Sequence, residues 1–325
     1  MSNKKNILIR MDSSSTIGLG HLMRTLLLAN ELKDDFNITY IIQELKGNQN
    51  HLIEENGFIY RVIKSMECDE LIPIIYEYKP AVFIIDHYGI STECEKEIKN
   101  LCPLLVFDDE FKEHNADIIL NHSFIAKVEN YAYLKDTKIL AGSRYTLLKN
   151  TFLSHKNRFI PLGNIKNKKV LITLGGSDPL GLSLRVKHIL LSLEKTLHIS
   201  IVTTSANQKI SYLKTLDKEL IVDEKDMAGL MQKYDLIITS ASTSLLETFA
   251  LKKPFIAIQC ASNQSQTVDI LKRLGLGNVI EYLSHSTLKK ALNFVQYRPH
   301  KLERLLNRYS FSKNGAAKEI IYEYK

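Results

Sequence analysis

Short apolar runs recur along the chain, separated by segments long enough for helices that carry apolar residues at helical spacing. Residues 7–11, 37–43, 81–86, 104–108 and 118–121 form a first series, and 169–174, 198–203, 236–239 and 254–259 a second. Runs that alternate with helices in this way predict parallel, doubly wound sheets. The fold class is therefore α/β, with two Rossmann-like domains in tandem facing a cleft. A length of 325 residues suits two domains of about 150 residues each. The boundary is expected between 1–156 and 157–325, with the linker near 155–168, where SHKNRFIPLGNIKNKK has little periodic apolar content. Residues 311–325 read as a loop followed by a helix counted with the second domain, closing it or packing back on the first.

The first run breaks into Asp12, Ser13, Ser14, Ser15 and Thr16, which cannot continue a buried strand without leaving polar groups unpaired. Gly18 and Gly20 permit unusual backbone angles and close approach of another molecule. Leu22, Leu26 and Leu27 then open an apolar helical face, so His21 stands at a helix N-terminus, where backbone N–H groups favour an anion. A neutral imidazole there can accept a proton from water; a capping or core histidine is the plainer alternative. The absence of GxGxxG removes a dinucleotide fingerprint.

The other polar clusters also fall at strand ends, where ligands bind in such sheets. Asp86, His87 and Tyr88 follow one run, and Asp108, Asp109 and Glu110 another. Tyr88 offers a phenol for substrate or packs as a half-buried ring. Asp108 and Asp109 are adjacent on an extended chain and point apart, so at most one faces the cleft; one of them, or Asp12, is expected to orient His21. LGGSD, with Gly176 and Ser177, reads as a diphosphate loop or a tight turn. SASTSLLETFALKKP places Ser242 and Ser244 at a helix start and Glu247 one to two turns along it, where a carboxylate can accept both hydroxyls of a ribose. Asn263 and Gln264 supply amides suited to sugar hydroxyls or N-acyl groups. No HxxxH or spaced carboxylate set is present, so no metal site and no cofactor are expected. No GxSxG elbow supports a serine hydrolase.

Charged residues at 24% and hydrophobic ones at 45% describe a globular protein, and no apolar run approaches the roughly 20 residues that span a bilayer. A cytoplasmic monomer with neither membrane nor nucleic acid as partner is expected. The net charge of +7 is spread through both halves, which points to a small anionic ligand instead. Cys68, Cys94, Cys102 and Cys260 form no CxxC pair and are expected as reduced, structural thiols.

DSSSTIGLGHLMR, IIDHYGIS, FDDE, ILN at 119–121, LGGSD, SASTSLLETFALKKP and the Asn263–Gln264 pair, in this order and spacing, resemble the PseG family. These are the UDP-2,4-diacetamido-2,4,6-trideoxy-β-L-altropyranose hydrolases of pseudaminic acid biosynthesis. The resemblance covers roughly residues 5–270. It implies a fold similar to GT-B glycosyltransferases, with the nucleotide held mainly by the C-terminal domain. It implies His21 as the base that activates water for attack at the anomeric carbon with inversion, without a metal. Asp12, Gly20, Tyr88, Asp109, Asn263 and Gln264 would then contact the sugar, and Gly176, Ser177, Ser242, Ser244 and Glu247 the UDP. The rival readings are a GT-B glycosyltransferase with a UDP-sugar donor and a non-catalytic sugar-nucleotide sensor.

Overall fold

Residues 4–325 are described in the computed structural model, apart from Ser15, His155, Lys156, Ser177, Pro179, Ala206 and the side chain of Asn263. The expected runs become parallel strands because both of their faces are covered. Ile7, Ile9 and Met11 of the first strand face one apolar layer, which includes Leu22, Leu26 and Ala29, while Leu8 faces the other, with Phe83, Ile85 and Val106.

Among the described residues the chain divides into two compact units, 1–149 with 311–325, and 150–310. The first holds a seven-stranded sheet made of β1 (Lys5–Met11), β2 (Phe36–Gln43), β3 (Ile59–Ile63), β4 (Val82–Asp86), β5 (Leu104–Phe107), β6 (Ile118–Asn121) and β7 (Lys138–Ala141), in the order β3-β2-β1-β4-β5-β6-β7. The second holds a six-stranded sheet of β8 (Lys169–Thr173), β9 (His198–Thr203), β10 (Ile221–Val222), β11 (Leu236–Ser240), β12 (Phe255–Ile258) and β13 (Val279–Ile280), in the order β10-β9-β8-β11-β12-β13. Strand order reverses between β1 and β4 in one sheet and between β8 and β11 in the other. These are the two places where such folds bind ligands.

Three expectations are corrected. The boundary near 156 moves to 149/150 because Phe152 is buried in the core of the second unit, and Phe159, Leu162 and Ile165 within the supposed linker are buried too. The last helix, Gly315–Tyr324, belongs with the first unit: Ala316, Ala317 and Ile320 pack in the cluster that contains Leu22 and Leu26. Cys68 and Cys94 are joined in a disulfide with their Cα atoms 5.5 Å apart, since the helices Cys68–Tyr78 and Thr92–Lys99 pack in one apolar layer; sequence spacing alone did not bring them together. Cys102 and Cys260 are buried free thiols, pushed by burial up to about 11 and about 12. Among the described residues no helix is long and apolar enough to cross a membrane.

Candidate active site

Parallel register sets four strand ends of the first unit level: Met11 lies beside Asp86, Ile85 beside Val106, and Phe107 beside Leu120. The segment after β1 turns back at once. Gly18 N–H donates to the Ser14 carbonyl at 2.8 Å with Gly18 at φ +81°, a left-handed angle that favours glycine, and the helix Gly20–Leu32 begins two residues later. His21 is thereby carried to the end of β4, with Nδ1 2.6 Å from Asp86 Oδ1. Asp86 is fully buried. Nδ1 of a neutral ring donates to this carboxylate, leaving Nε2 as the ring's acceptor.

Arg24 lies one helical turn beyond His21 on the same face. Its Nε donates to Asp86 Oδ2 at 2.6 Å, its Nη2 to Asp86 Oδ1, and its Nη1 to Asp109 Oδ2 at 2.8 Å. Burial works to raise the Asp86 carboxyl, but the Arg24 charge and the bonds from Arg24 and His21 hold it well below the usual carboxylate range. Burial likewise opposes charge on Arg24, and Asp86 with Asp109 override it and push its pKa upward. The guanidinium also sits 5.4 Å above the Phe107 ring, and His122 Nε2 lies 3.4 Å from Nη1. Burial and Arg24 lower His122 to about 4, so it faces the cation as a neutral ring.

Tyr88 is 57% exposed, and its hydroxyl donates to Asp109 at 2.9 Å and 3.0 Å from the two oxygens. The Tyr88 and His21 rings meet edge to face with centroids 4.8 Å apart. His87 points the other way: Nε2 donates to Asp12 Oδ2 at 3.1 Å and Nδ1 accepts the Gly89 N–H at 2.9 Å. Both ring nitrogens thus brace the loop that carries Tyr88.

Asp12, expected at the sugar or behind His21, is fully buried instead. Its oxygens take two bonds from Arg10 at 2.7 Å each and one from the Gln43 N–H at 2.7 Å. Burial would raise its carboxyl; the His87 and Arg10 bonds prevail and hold it at about 2. The His21 partner is Asp86, which sequence reasoning had noted without assigning a role. Asp108 and Asp109 do diverge: Asp108 is buried against the Tyr131 hydroxyl at 2.7 Å, while Asp109 joins the Arg24 cluster. A Cβ at Gly20 would meet nothing within 4 Å, so that position is open. Arg24 was missed, although its three-residue spacing from His21 was the available signal.

In the second unit the loops after β8 and β11 are neighbours by strand pairing. The Gly176 carbonyl accepts from Thr204 N–H at 3.0 Å and Thr203 Oγ1 at 2.8 Å, and a Cβ at Gly176 would come within 2.9 Å of Thr204 Cγ2. Ser177 lies outside the described residues. Asp178 accepts the Leu182 and Ser183 N–H groups at 2.9 Å and 3.0 Å, so the helix Leu182–Leu193 is capped from within. The helix Thr243–Ala250 differs: Ser242 makes no side-chain cap, and its hydroxyl pairs with Ser240 Oγ at 2.7 Å. Ser244 and Glu247 lie on the first two turns of this helix. Gln264 is partly engaged, its Oε1 accepting the Cys260 N–H at 2.8 Å, and Asn263 lies in the short turn Ser262–Gln264. Among the described residues no group of three or more His, Cys, Asp or Glu is arranged to hold a metal.

Two Rossmann-like units with ligand features at both switch points define the GT-B architecture, and solved structures agree. The chain superposes on MurG from Acinetobacter baumannii with a TM-score of 0.66 at 12% identity, covering 99% of both chains. It superposes on a UDP-glucosyltransferase from Polygonum tinctorium with a TM-score of 0.68 at 11% identity, again covering 99% of each. At such identities the likeness concerns the fold alone. No protein-family model matches the chain. Sequence similarity is more specific: the UDP-2,4-diacetamido-2,4,6-trideoxy-β-L-altropyranose hydrolase of Campylobacter jejuni is 35% identical over 278 residues, 83% of this chain and 97% of that protein. The chain belongs to the family of this hydrolase.

Proposed function

We propose that the protein hydrolyses UDP-2,4-diacetamido-2,4,6-trideoxy-β-L-altropyranose to UDP and the free sugar, with His21 as general base. The observation that carries the reading is the 2.6 Å contact between His21 Nδ1 and buried Asp86, which turns Nε2 into a proton acceptor. Water bound there gives its proton to Nε2 as its oxygen bonds to the anomeric carbon. The bond from that carbon to the diphosphate oxygen breaks with inversion, and UDP leaves with the electron pair. Asp86 stabilises the imidazolium that results. General-base assistance of this kind contributes on the order of 10² to 10⁴ in rate.

The second unit is proposed to hold UDP at the start of the helix Thr243–Ala250, where Ser242 makes no side-chain cap, and at the Gly176 loop, with Ser242, Ser244 and Glu247 toward the diphosphate and ribose. Backbone donors at a helix start stabilise the charge that develops on the departing phosphate, so the proposed reaction needs no metal. Tyr88, Asn263 and Gln264 are assigned to the sugar. A monomer in the cytoplasm completes the proposal.

A glycosyltransferase requires an acceptor hydroxyl before it turns over, and a sensor does not turn over at all. The deciding assay supplies the UDP-sugar with EDTA and no acceptor, follows UDP release and identifies the product anomer by NMR. Release of UDP with inverted free hexose supports the proposal; an unchanged nucleotide sugar overturns it.

A further inference from the structure

Tyr88 and His21 are joined by more than their ring contact. Tyr88 bonds to Asp109, Asp109 to Arg24, Arg24 to Asp86, and Asp86 to His21, in one unbroken chain. Each carboxylate accepts from both sides, and a guanidinium can only donate. The direction of each bond along this chain follows, with the His21 Nδ1 proton on the shorter contact to Asp86 although Arg24 Nη2 also lies 3.1 Å from that nitrogen. The Tyr88 O–H donates to Asp109, which leaves the phenol oxygen's lone pairs available to a ligand on a ring that is more than half exposed.

We propose that Tyr88 meets the ligand as a hydrogen-bond acceptor, and that Asp109 and Arg24 are positioning residues that impose this polarity without touching substrate. This rests on the reading of the site as one for an acylamino sugar, and it deepens that reading. The site favours a ligand group bearing N–H or O–H at Tyr88 over a carbonyl or ether oxygen, because a committed phenol proton cannot also serve an acceptor. Asp109 thus leaves the set of substrate contacts and becomes the cause of selectivity. Arg24 sets two polarities at once: the acceptor lone pairs of Tyr88 and, through Asp86, the acceptor nitrogen of His21.

The charged and titratable groups facing Tyr88 are Asp109 after β5, Asp86 at the end of β4, and His21 and Arg24 on the helix Gly20–Leu32. Burial and then the Asp109 charge push the Tyr88 phenol upward, which agrees with a phenol that keeps its proton and donates to Asp109.

Two measurements test the proposal. The first needs no substrate: the full-length protein carries 3-fluorotyrosine, the Tyr88 fluorine resonance is assigned with Tyr88→Phe, and its pH titration is followed. The expected result is a Tyr88 signal that stays put while the exposed Tyr282 and Tyr322 titrate, and an Asp109→Asn variant in which the Tyr88 midpoint falls by a unit or more. A Tyr88 midpoint unchanged in Asp109→Asn overturns the proposal, even if the protein proves not to be a hydrolase. The second follows UDP release from the UDP-sugar. Tyr88→Phe and Asp109→Asn are each expected to raise KM roughly five- to ten-fold, the worth of one hydrogen bond, with kcat within a few-fold. The double variant should be no worse than Tyr88→Phe alone. Additive losses, or losses in kcat alone, sink the idea. A wild-type protein that releases no UDP overturns the functional reading and leaves the fluorine titration to decide the polarity.

Discussion

The two switch points of this protein solve opposite electrostatic problems. At the β1/β4 ends, charges are paired and mostly buried: Arg24 serves Asp86 and Asp109, and Arg10 serves Asp12. At the β8/β11 ends, the described contacts are made by backbone groups, hydroxyls and one helix-capping carboxylate. Asp178 closes one helix, while the helix Thr243–Ala250 starts without a side-chain cap. A paired buried network suits the proposed base, because it fixes one orientation of the ring, and a helix start whose N-cap serine makes no side-chain cap suits the proposed anion. On the proposed reading, chemistry and nucleotide binding separate by unit, and variants should separate them too.

The largest effect is expected at the base. His21→Ala should lower UDP release by about 10² to 10⁴ while leaving UDP affinity, measured by calorimetry, within a few-fold. Equal losses in both would break the comparison by making His21 a binding or folding residue. A second effect tests how far paired charge stabilises the first unit. His114 lies between Glu95, at 2.7 Å, and Asp108, at 3.7 Å. Burial would lower it, yet the two carboxylates raise it from 6.5 to about 9. The folded protein therefore binds this proton more tightly than the unfolded chain. Its contribution, on the order of 1–3 kcal/mol, should be complete below pH 6.5 and fade as pH rises through about 9. The urea midpoints of wild type and His114→Gln should converge over that window; a constant gap would show that packing, not charge, holds the loop.

In the second unit, Thr243→Pro removes one donor from a first-turn position that tolerates proline. UDP affinity should fall by about ten-fold with kcat little changed, and unchanged affinity would remove the anion from this helix. The smallest effect concerns an exception to hydrogen-bonded carboxylates. Glu31, near Lys313 and Lys318, has a buried Oε2 without a hydrogen bond, and burial raises its carboxyl from 4.5 to about 7. Ionised Glu31 destabilises the folded state, so the penalty is absent below pH 4.5 and complete above pH 7. Glu31→Gln should gain about 1 kcal/mol at pH 8 and nothing at pH 4, read from thermal unfolding at both values.

Composition and periodicity alone determined the α/β class, the two sheets and every central strand. The strands that escaped notice are β3, β7, β10 and β13, and these are the four sheet edges. An edge strand is covered less completely, so it can be short or mixed, as in β3 with Ile59 64% exposed and in the two-residue β10. Central strands are covered on both faces and must be apolar throughout, which is why they are legible. The unit boundary stayed hidden because Phe152, Phe159 and Ile165 are spaced without period and bury by tertiary contact. Likewise the sequence marked His21, Tyr88 and the strand-end carboxylates as candidates, since polar residues directly after buried strands need partners. Which carboxylate meets His21 was decided only in three dimensions: parallel register brings Asp86 level with the end of β1 and so to His21, whereas Asp12 is taken by Arg10 two residues before it. Identity at a strand end is local, but pairing depends on which strands are neighbours, and that is a property of the sheet.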